Sequence, residues 1–263
     1  IVHGGDRLGL YYYEESAALR SSSIVYDRED SSITTIKSGM IDWKKTFSEA
    51  RLFHWSGISS AVSQGAADAT NEAVEEAERE GITISCDINH RANLWKYGKD
   101  AHDVLLPIAQ KSDIVFGTAD EWKLITGITP PDFKATTPDY PIDSAAYKEY
   151  FGKASKILPK AKKMIVALRN TLSANHHLLS GVIFADGKLY TTRIYDIDDV
   201  LDPMGVGDAF IAAYLHAHLK YGDDNQRCLN FSLAASALKN TIPGDFNLST
   251  EQEVDYLMNG FEE

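Results

Sequence analysis

Residues 202–210 read Asp-Pro-Met-Gly-Val-Gly-Asp-Ala-Phe, and a segment with helical apolar spacing follows them up to Lys220. This pattern predicts a helix that begins at Gly205, with a first turn almost free of side chains. The N-terminus of such a helix exposes backbone N–H groups and the positive end of the helix dipole, which together favour a phosphate. Asp208 lies in that first turn, where a carboxylate can accept a proton from an attacking hydroxyl. The stretch therefore indicates phosphoryl transfer.

A reading without catalysis fits the same residues. Gly205 and Gly207 would then only form a tight turn, and Asp208 would cap its helix. Two other phosphate-binding motifs are excluded, because the chain contains no P-loop signature and Phe210 stands where the dinucleotide motif needs its third glycine. The motif alone leaves the choice between turn and phosphate site open.

Outside this stretch, short β-branched runs alternate with longer amphipathic runs, which predicts an α/β fold around a mostly parallel sheet. The predicted helices span residues 64–79, 101–111, 119–125, 144–158, 205–220, 225–240 and 250–258, and the predicted strands span residues 82–87, 113–116 and 164–168. Around Asp186-Gly187 the period changes to two, which predicts an antiparallel hairpin within residues 182–191.

The opening residues differ from the rest, since residues 10–14 and 23–28 predict two strands of a small separate sheet. We expect residues 1–40 to form part of a β lid and residues 41–263 to form the α/β core. The chain starts with Ile1 and runs at once into strand-like sequence, so we expect an N-terminal portion of the fold to be missing from it.

Composition narrows the classes of function. The 263 residues carry 26 Lys and Arg against 38 Asp and Glu, a net charge of −12 that repels a nucleic acid. The two cysteines, Cys86 and Cys228, are far apart in sequence, so no disulfide framework or zinc cluster is expected. No apolar run is long enough to span a membrane. We expect a cytoplasmic protein without nucleic-acid or membrane partners.

The stretch 202–210 resembles the signature Asp-Thr-x-Gly-Ala-Gly-Asp-x-Phe of the PfkB-type, ribokinase-like carbohydrate kinases, with Pro203 and Val206 as the two departures. Residues 7–11 with 26–28, residues 87–95 and residues 244–247 resemble segments of 2-keto-3-deoxygluconate kinases within that family. The resemblance implies a ribokinase-like three-layer α/β/α sandwich with a β-sheet lid, in which the core of residues 41–263 binds nucleotide and sugar. It also implies ATP-dependent phosphorylation of the terminal hydroxyl of 2-keto-3-deoxygluconate, which gives 2-keto-3-deoxy-6-phosphogluconate.

The resemblance also implies a role for each matching residue. Asp208 would be the catalytic base, and the backbone N–H groups of Gly205, Val206 and Gly207 would form the anion hole. The sugar acid would contact Tyr11, Tyr26, Arg28, Arg91, Asp208 and Asp245. ATP would contact Asn89, Arg91, Asn170, Thr171, Ser173, Gly205, Gly207, Ala235 and Asn240. Glu121 would order waters on Mg²⁺, and whether a monovalent cation assists stays open.

The proposed contact of Arg28 and Arg91 with the sugar acid also has a physical basis, because a guanidinium holds a carboxylate by two parallel hydrogen bonds. Alternatives remain for several positions. Arg28 could pair with Asp27 or Glu29, Tyr11 and Tyr26 could only pack the lid, Glu121 could be a helix N-terminal acid and Asp245 a turn carboxylate.

Two other functions stay open at this point: a kinase of the same fold for another sugar or nucleoside, and a sugar-acid sensor without catalysis. The resemblance further implies a homo-oligomer that forms through the β lid.

Overall fold

Strands and helices alternate along most of the chain in a computed structural model that describes residues 3–17, 20 and 22–260. The strands are β1 Leu10–Glu14, β2 Ser23–Asp27, β3 Leu52–Ser56, β4 Thr83–Asp87, β5 Ile114–Gly117, β6 Lys163–Ser173, β7 His176–Ala185, β8 Lys188–Thr191 and β9 Tyr195–Ile197. The α-helices are α1 Trp43–Thr46, α2 Gly57–Ser60, α3 Gln64–Arg79, α4 Ala101–Ala109, α5 Ala119–Thr126, α6 Ser144–Ala154, α7 Val206–Tyr221, α8 Asn225–Lys239 and α9 Glu251–Met258. The predicted α/β class is confirmed.

The chain divides into two compact units. The first unit comprises Ile1–Glu14, Ser23–Pro130 and Phe151–Met164, and the second comprises Glu15–Ser22, Pro131–Tyr150 and Ile165–Glu263. The predicted division into a lid up to residue 40 and a core from residue 41 stays a prediction.

In the first unit, β3, β4 and β5 pair in parallel in that order. The helix α3 connects β3 to β4, and it starts where the hydroxyl of Ser63 accepts the N–H of Ala66. One face of α3 is lined by alanines and Val74, all of which are buried. This is the crossover connection that parallel strands require. It places the ends of β3, β4 and β5 along one edge, where parallel sheets usually bind ligands.

The predicted small sheet is also present, since β1 and β2 pair antiparallel. Tyr11 lies opposite Tyr26 and Tyr12 lies opposite Val25. Because successive side chains of a strand point to opposite faces, the Tyr11–Tyr26 pair and the Tyr12–Val25 pair lie on different faces of this sheet.

In the second unit, β7 pairs antiparallel with β8 and with β9. Asp186 and Gly187 form the predicted turn between β7 and β8, with φ of 52° and 72°. Helices α7 and α8 pack closely, because Ser232 and Ser236 of α8 donate their hydroxyls to the carbonyls of Phe210 and Val206 of α7. Small side chains on α8 thus fix the start of α7.

Two features of this fold differ from the expectations. The strand predicted at 164–168 continues as β6 to Ser173, because its last residues, although polar and mostly exposed, keep the extended backbone of a strand next to β7. Residues 169–173, which follow the predicted strand, therefore belong to β6 itself. Strand β3 was not predicted at all.

Among the described residues, no helix combines the length and the apolar character that crossing a bilayer requires.

Candidate active site

The start of α7 in the second unit has the open geometry expected of an anion site. Gly205 precedes the helix with φ of 73°, and no side chain caps the first turn. Gly207 and Asp208 are exposed in that turn, and a Cβ on Gly207 would meet no atom within 4 Å. The first N–H groups of a helix lack intrahelical partners, so an anion can approach them here.

Asp202 fixes the turn that leads into this helix. Its buried carboxylate accepts the N–H of Met204 at 2.9 Å with one oxygen and the N–H of Gly244 at 2.7 Å with the other. Sequence reasoning did not assign this role to Asp202, although the residue opens the motif that it singled out. The carboxylate ties residues 202–205 to the loop that carries Asp245.

Five of the residues expected around the nucleotide lie in the second unit, in different settings: Asn170, Thr171, Ser173, Ala235 and Asn240. Asn170, Thr171 and Ser173 lie on β6, where Asn170 donates its side-chain N–H to the carbonyl of Ala135 at 2.8 Å. Ala235 is 2% exposed and Asn240 is fully buried. The side chain of Asn240 donates to the carbonyl of Ser236 at 2.9 Å, so in this structure it holds the end of α8.

A cavity of about 660 Å³ lies beside this part of α8. Its lining combines apolar residues, among them Ile194, Leu238 and Leu257, with the charged residues Arg193, Asp196, Asp198 and Asp199. Pockets for organic ligands usually join an apolar surface to a few polar groups.

In the first unit, Asn89 and Arg91 belong to a chain of side-chain hydrogen bonds. Asn89 follows β4 with φ of 36° and donates to the hydroxyl of Ser56, at the end of β3, at 2.9 Å. The Nε–H of exposed Arg91 donates to the side-chain oxygen of Asn89 at 2.8 Å. This bond orients the guanidinium, whose terminal amino groups are the ones that pair with a carboxylate or phosphate.

Glu121 holds the backbone at the same edge of β4 and β5. One carboxylate oxygen accepts the N–H of His90 at 2.9 Å. The other accepts the N–H and the hydroxyl of Thr118 at 2.7 Å and 3.0 Å, which closes a capping box at the start of α5. These bonds give Glu121 a helix-capping role, the alternative that the sequence left open, and its role toward Mg²⁺ stays a prediction.

The lid sheet contributes to a second cavity, of about 550 Å³. Tyr26, Arg28, Asn93, Lys96 and Tyr97 are among its lining residues. Arg28 lies 5.5 Å from the centre of the Tyr26 ring, and its buried Nε has no hydrogen-bond partner among the described residues. Arg28 thus lines this cavity with a guanidinium that is not fully hydrogen-bonded, which favours a polar ligand there.

Arg7, and not Arg28, neutralises Asp27. The guanidinium of Arg7 contacts the carboxylate of Asp27 at 2.6 Å and also donates to the carbonyl of Glu29. The pairing of Arg28 with Asp27, one alternative from the sequence, is thus not the arrangement that the structure has. Arg28 keeps its charge available in the cavity.

The open N-terminus of α7 fits a nucleotide phosphate, since neither a cap nor a side chain on Gly207 occupies the approach. A family model described as pfkB family carbohydrate kinase matches residues 1–251. The chain belongs to the pfkB family of carbohydrate kinases. The predicted family and its kinase class are confirmed.

Two relatives of this chain are named as kinases of related sugar acids. A 2-dehydro-3-deoxygalactonokinase of Haloferax volcanii is 26% identical over 254 residues, which are 97% of this chain and 71% of that protein. The crystal structure of a 2-dehydro-3-deoxygluconokinase from Thermotoga maritima is 32% identical with a TM-score of 0.87, and the match covers 98% of this chain and 75% of that one. Across the first curated relatives, the chain spans 62% to 71% of their length.

A fructokinase with bound ATP from Xylella fastidiosa has a similar fold at lower sequence identity. It is 19% identical with a TM-score of 0.71, covering 95% of this chain and 73% of that one. These similarities confirm the predicted ribokinase-like fold.

Proposed function

We propose that this protein phosphorylates the terminal hydroxyl of 2-keto-3-deoxygluconate with ATP. The observation that carries the proposal is the uncapped start of α7, with exposed Asp208 in its first turn. Phosphoryl transfer depends mainly on positioning and on stabilising the charge of the transferred group, and an open helix N-terminus supplies that stabilisation.

Each group in the proposed reaction has one task. ATP supplies the phosphoryl group, and Mg²⁺ neutralises part of the charge on its phosphates. Asp208 accepts the proton of the substrate hydroxyl and thereby raises the nucleophilicity of that oxygen. The N–H groups of Gly205, Val206 and Gly207 hold the charge that accumulates on the phosphoryl oxygens. Because the base and the N–H donors lie in one helical turn, they approach the reacting groups from the same side.

The sugar acid is proposed to bind through its carboxylate to the arginines of the first unit. Arg28 supports this proposal because it lines the lid cavity and its Nε has no hydrogen-bond partner among the described residues. Arg91 supports it by its orientation on Asn89. Tyr11 and Tyr26, opposite each other in the lid sheet, would cover the carbon chain of the substrate. Asp245 would accept a hydrogen bond from a substrate hydroxyl.

The nucleotide base is proposed to occupy the cavity at Tyr195 and Leu238 in the second unit. The size of the cavity and the apolar part of its lining support a purine there. We expect Thr171 and Ser173, exposed on β6, to donate hydrogen bonds to the nucleotide.

A second candidate substrate is the epimer 2-keto-3-deoxygalactonate, because the relative from Haloferax volcanii is named for it. The two acids share the carboxylate, the keto group and the terminal hydroxyl. The residues proposed for those three groups would serve either acid, so the epimers must be compared directly.

The test measures ADP release by the full protein with ATP, Mg²⁺ and each of four acceptors: the two sugar acids, fructose and ribose. We expect turnover on a 2-keto-3-deoxy sugar acid, with a product whose phosphate is on the terminal carbon by NMR. Asp208→Asn should lower kcat by a factor on the order of 10² to 10⁴. Asp103→Asn is the matched control, since Asp103 is an exposed acid in the first turn of α4. Turnover only on fructose or ribose, or on no acceptor, would refute the proposal.

The lid sheet is proposed to join two copies of the chain. On the face that carries the Tyr12–Val25 pair, Leu10 is 47%, Tyr12 61% and Val25 63% exposed. Burying such an apolar face against its equal is favourable. Light scattering should show a dimer for the protein and a monomer for Val25→Lys, and a monomer for both would contradict the proposal.

A further inference from the structure

Lys239, the last residue of α8, is a charged residue inside the protein. Its side chain is fully buried, and its ammonium donates a hydrogen bond to the carbonyl of Ile242 at 2.8 Å. Burial lowers its pKa, whereas the carboxylates of Asp202 and Asp245 act in the opposite direction. A buried lysine is rare unless its charge is used, because removing an ammonium from water costs several kcal/mol.

The ammonium lies at the base of the loop that borders the start of α7. This loop runs from Asn240 to Asp245, and each of its ends contacts the turn at residues 202–205. At one end, the carbonyl of Asn240 accepts the N–H groups of Leu201 and Asp202 at 2.9 Å and 3.2 Å. At the other end, Gly244 donates to Asp202 at 2.7 Å.

A positive charge at this point has a definite effect on the loop. The bond to Ile242 fixes the turn of chain directly after α8, which begins the loop that contacts residues 202–205. A neutral side chain of equal length would keep the packing and lose that hydrogen bond. The carbonyl of Ile242 would then lack its donor, which would loosen the loop from the turn.

We propose that Lys239 is a positioning residue whose ammonium holds the loop 240–245 against the turn 202–205, and so keeps the N–H groups at the start of α7 aligned for phosphoryl transfer. The inference rests on the proposed function for its catalytic consequence. The ordering of the loop itself does not depend on which substrate the protein uses. Lys239 contacts no reacting atom in this scheme.

The test compares Lys239→Ala and Lys239→Met in the full protein. Activity is assayed with ATP and the sugar acid, and hydrogen exchange is measured on the peptide that contains the N–H of Gly244. The Ala and Met variants should lose roughly 10²-fold in kcat, with a smaller change in the KM for the sugar acid, because a small misplacement of catalytic groups costs about that much. Their Gly244 peptide should exchange at least about tenfold faster, since its N–H bond to Asp202 opens more often.

Chemical rescue separates charge from packing. Methylammonium chloride should restore part of the kcat and of the exchange protection in Lys239→Ala, and sodium chloride at equal ionic strength should restore less. Lys163→Met is the matched control, because Lys163 is also buried, at 7% exposure, and its loss should leave the Gly244 peptide unchanged. Lys239→Met avoids an unfilled cavity, so it remains informative if Lys239→Ala does not fold.

Wild-type protection and kcat in Lys239→Met would overturn the inference. Equal loss in Lys239→Met and Lys163→Met would also overturn it, since that result would indicate a general effect on stability. If the wild-type protein phosphorylates no sugar acid, the proposed function fails, and the exchange and rescue measurements still decide whether Lys239 orders the loop.

Discussion

The carbonyl oxygen of Asp245 occupies the space that a side chain at Gly205 would need. A Cβ built on Gly205 would lie 2.2 Å from that oxygen, far inside van der Waals contact. Gly205 also has φ of 73°, a conformation that disfavours residues with a Cβ. The backbone of the loop that carries Asp245 is therefore pressed against the turn that starts α7, and a glycine is required for that contact.

We predict that Gly205→Ala lowers both stability and activity. The left-handed backbone costs about 1–2 kcal/mol for alanine, and the loop must also move away from the new methyl group. We expect a lower free energy of unfolding in urea and a higher KM for ATP. An unchanged urea midpoint would contradict the predicted loss of stability, because it would mean that the loop moves away from the methyl group at no cost in free energy.

Gly207→Ala is the control for that variant, because its Cβ would meet no atom within 4 Å and its φ is not positive. Alanine inside a helix is more favourable than glycine by roughly 0.5–1 kcal/mol, so this variant should be as stable as wild type or more so. If the N–H groups there bind phosphate, its KM for ATP should still rise.

Arg28 should determine affinity for the sugar acid. We predict that Arg28→Met raises the KM for the acid roughly 10- to 100-fold, the loss expected for hydrogen bonds between charged groups, while the KM for ATP stays the same. Arg28→Lys should recover only part of the affinity, because an ammonium cannot form the bidentate pair. Arg79→Met, a change at an exposed position of α3, serves as the control, and an equal KM in Arg28→Met and Arg79→Met would contradict the role.

Much of this fold could be predicted because local signals mark its elements. Helix α3 has the predicted bounds, since Ser63 caps its start and Gly81, with φ of 69°, follows its end. Strand β6 was predicted too short because its apolar run stops at Leu168, whereas extended backbone needs no apolar side chains. The residues of an extended segment do not by themselves indicate which strand the segment pairs with.

The candidate site shows the same contrast. The motif at 202–210 pointed to the start of α7 directly, because a helix N-terminus is a local feature. The bond from Gly244 to Asp202 joins residues 42 positions apart, and no local pattern indicates it. Likewise, Arg7 and Asp27 form an ion pair although they are 20 positions apart, and Arg28 keeps an unpaired Nε. The sequence did not indicate which of the two arginines would pair with Asp27.

Glu121 provides a test between capping and metal binding. We predict that Glu121→Ala lowers the free energy of unfolding by about 1–2 kcal/mol, through loss of the capping box and of the bond to the N–H of His90. Glu253→Ala is a matched control, because Glu253 closes the same kind of box with Thr250 in α9. The Mg²⁺ concentration at half-maximal rate should be equal in both variants. A higher Mg²⁺ requirement in Glu121→Ala alone would support the water-ordering role instead.

His177 should make the protein sensitive to acid. Burial, with a further contribution from nearby Arg169, lowers the pKa of this histidine from 6.5 to about 4, and the side chain is 4% exposed. Between these two values the unfolded chain binds a proton that the folded protein excludes, so stability present above pH 6.5 is lost as the pH falls toward 4. A shift of this size corresponds to about 3 kcal/mol.

We therefore predict that His177→Leu reduces the acid-induced loss of stability between pH 7 and pH 4 by up to about 3 kcal/mol relative to wild type. The carboxylates and His54, whose pKa burial also lowers to about 4, titrate in both proteins, so the difference between their pH profiles isolates His177. Urea unfolding at a series of pH values measures it. Parallel profiles for the two proteins would contradict the prediction, because they would mean that His177 binds its proton equally well in the folded and in the unfolded state.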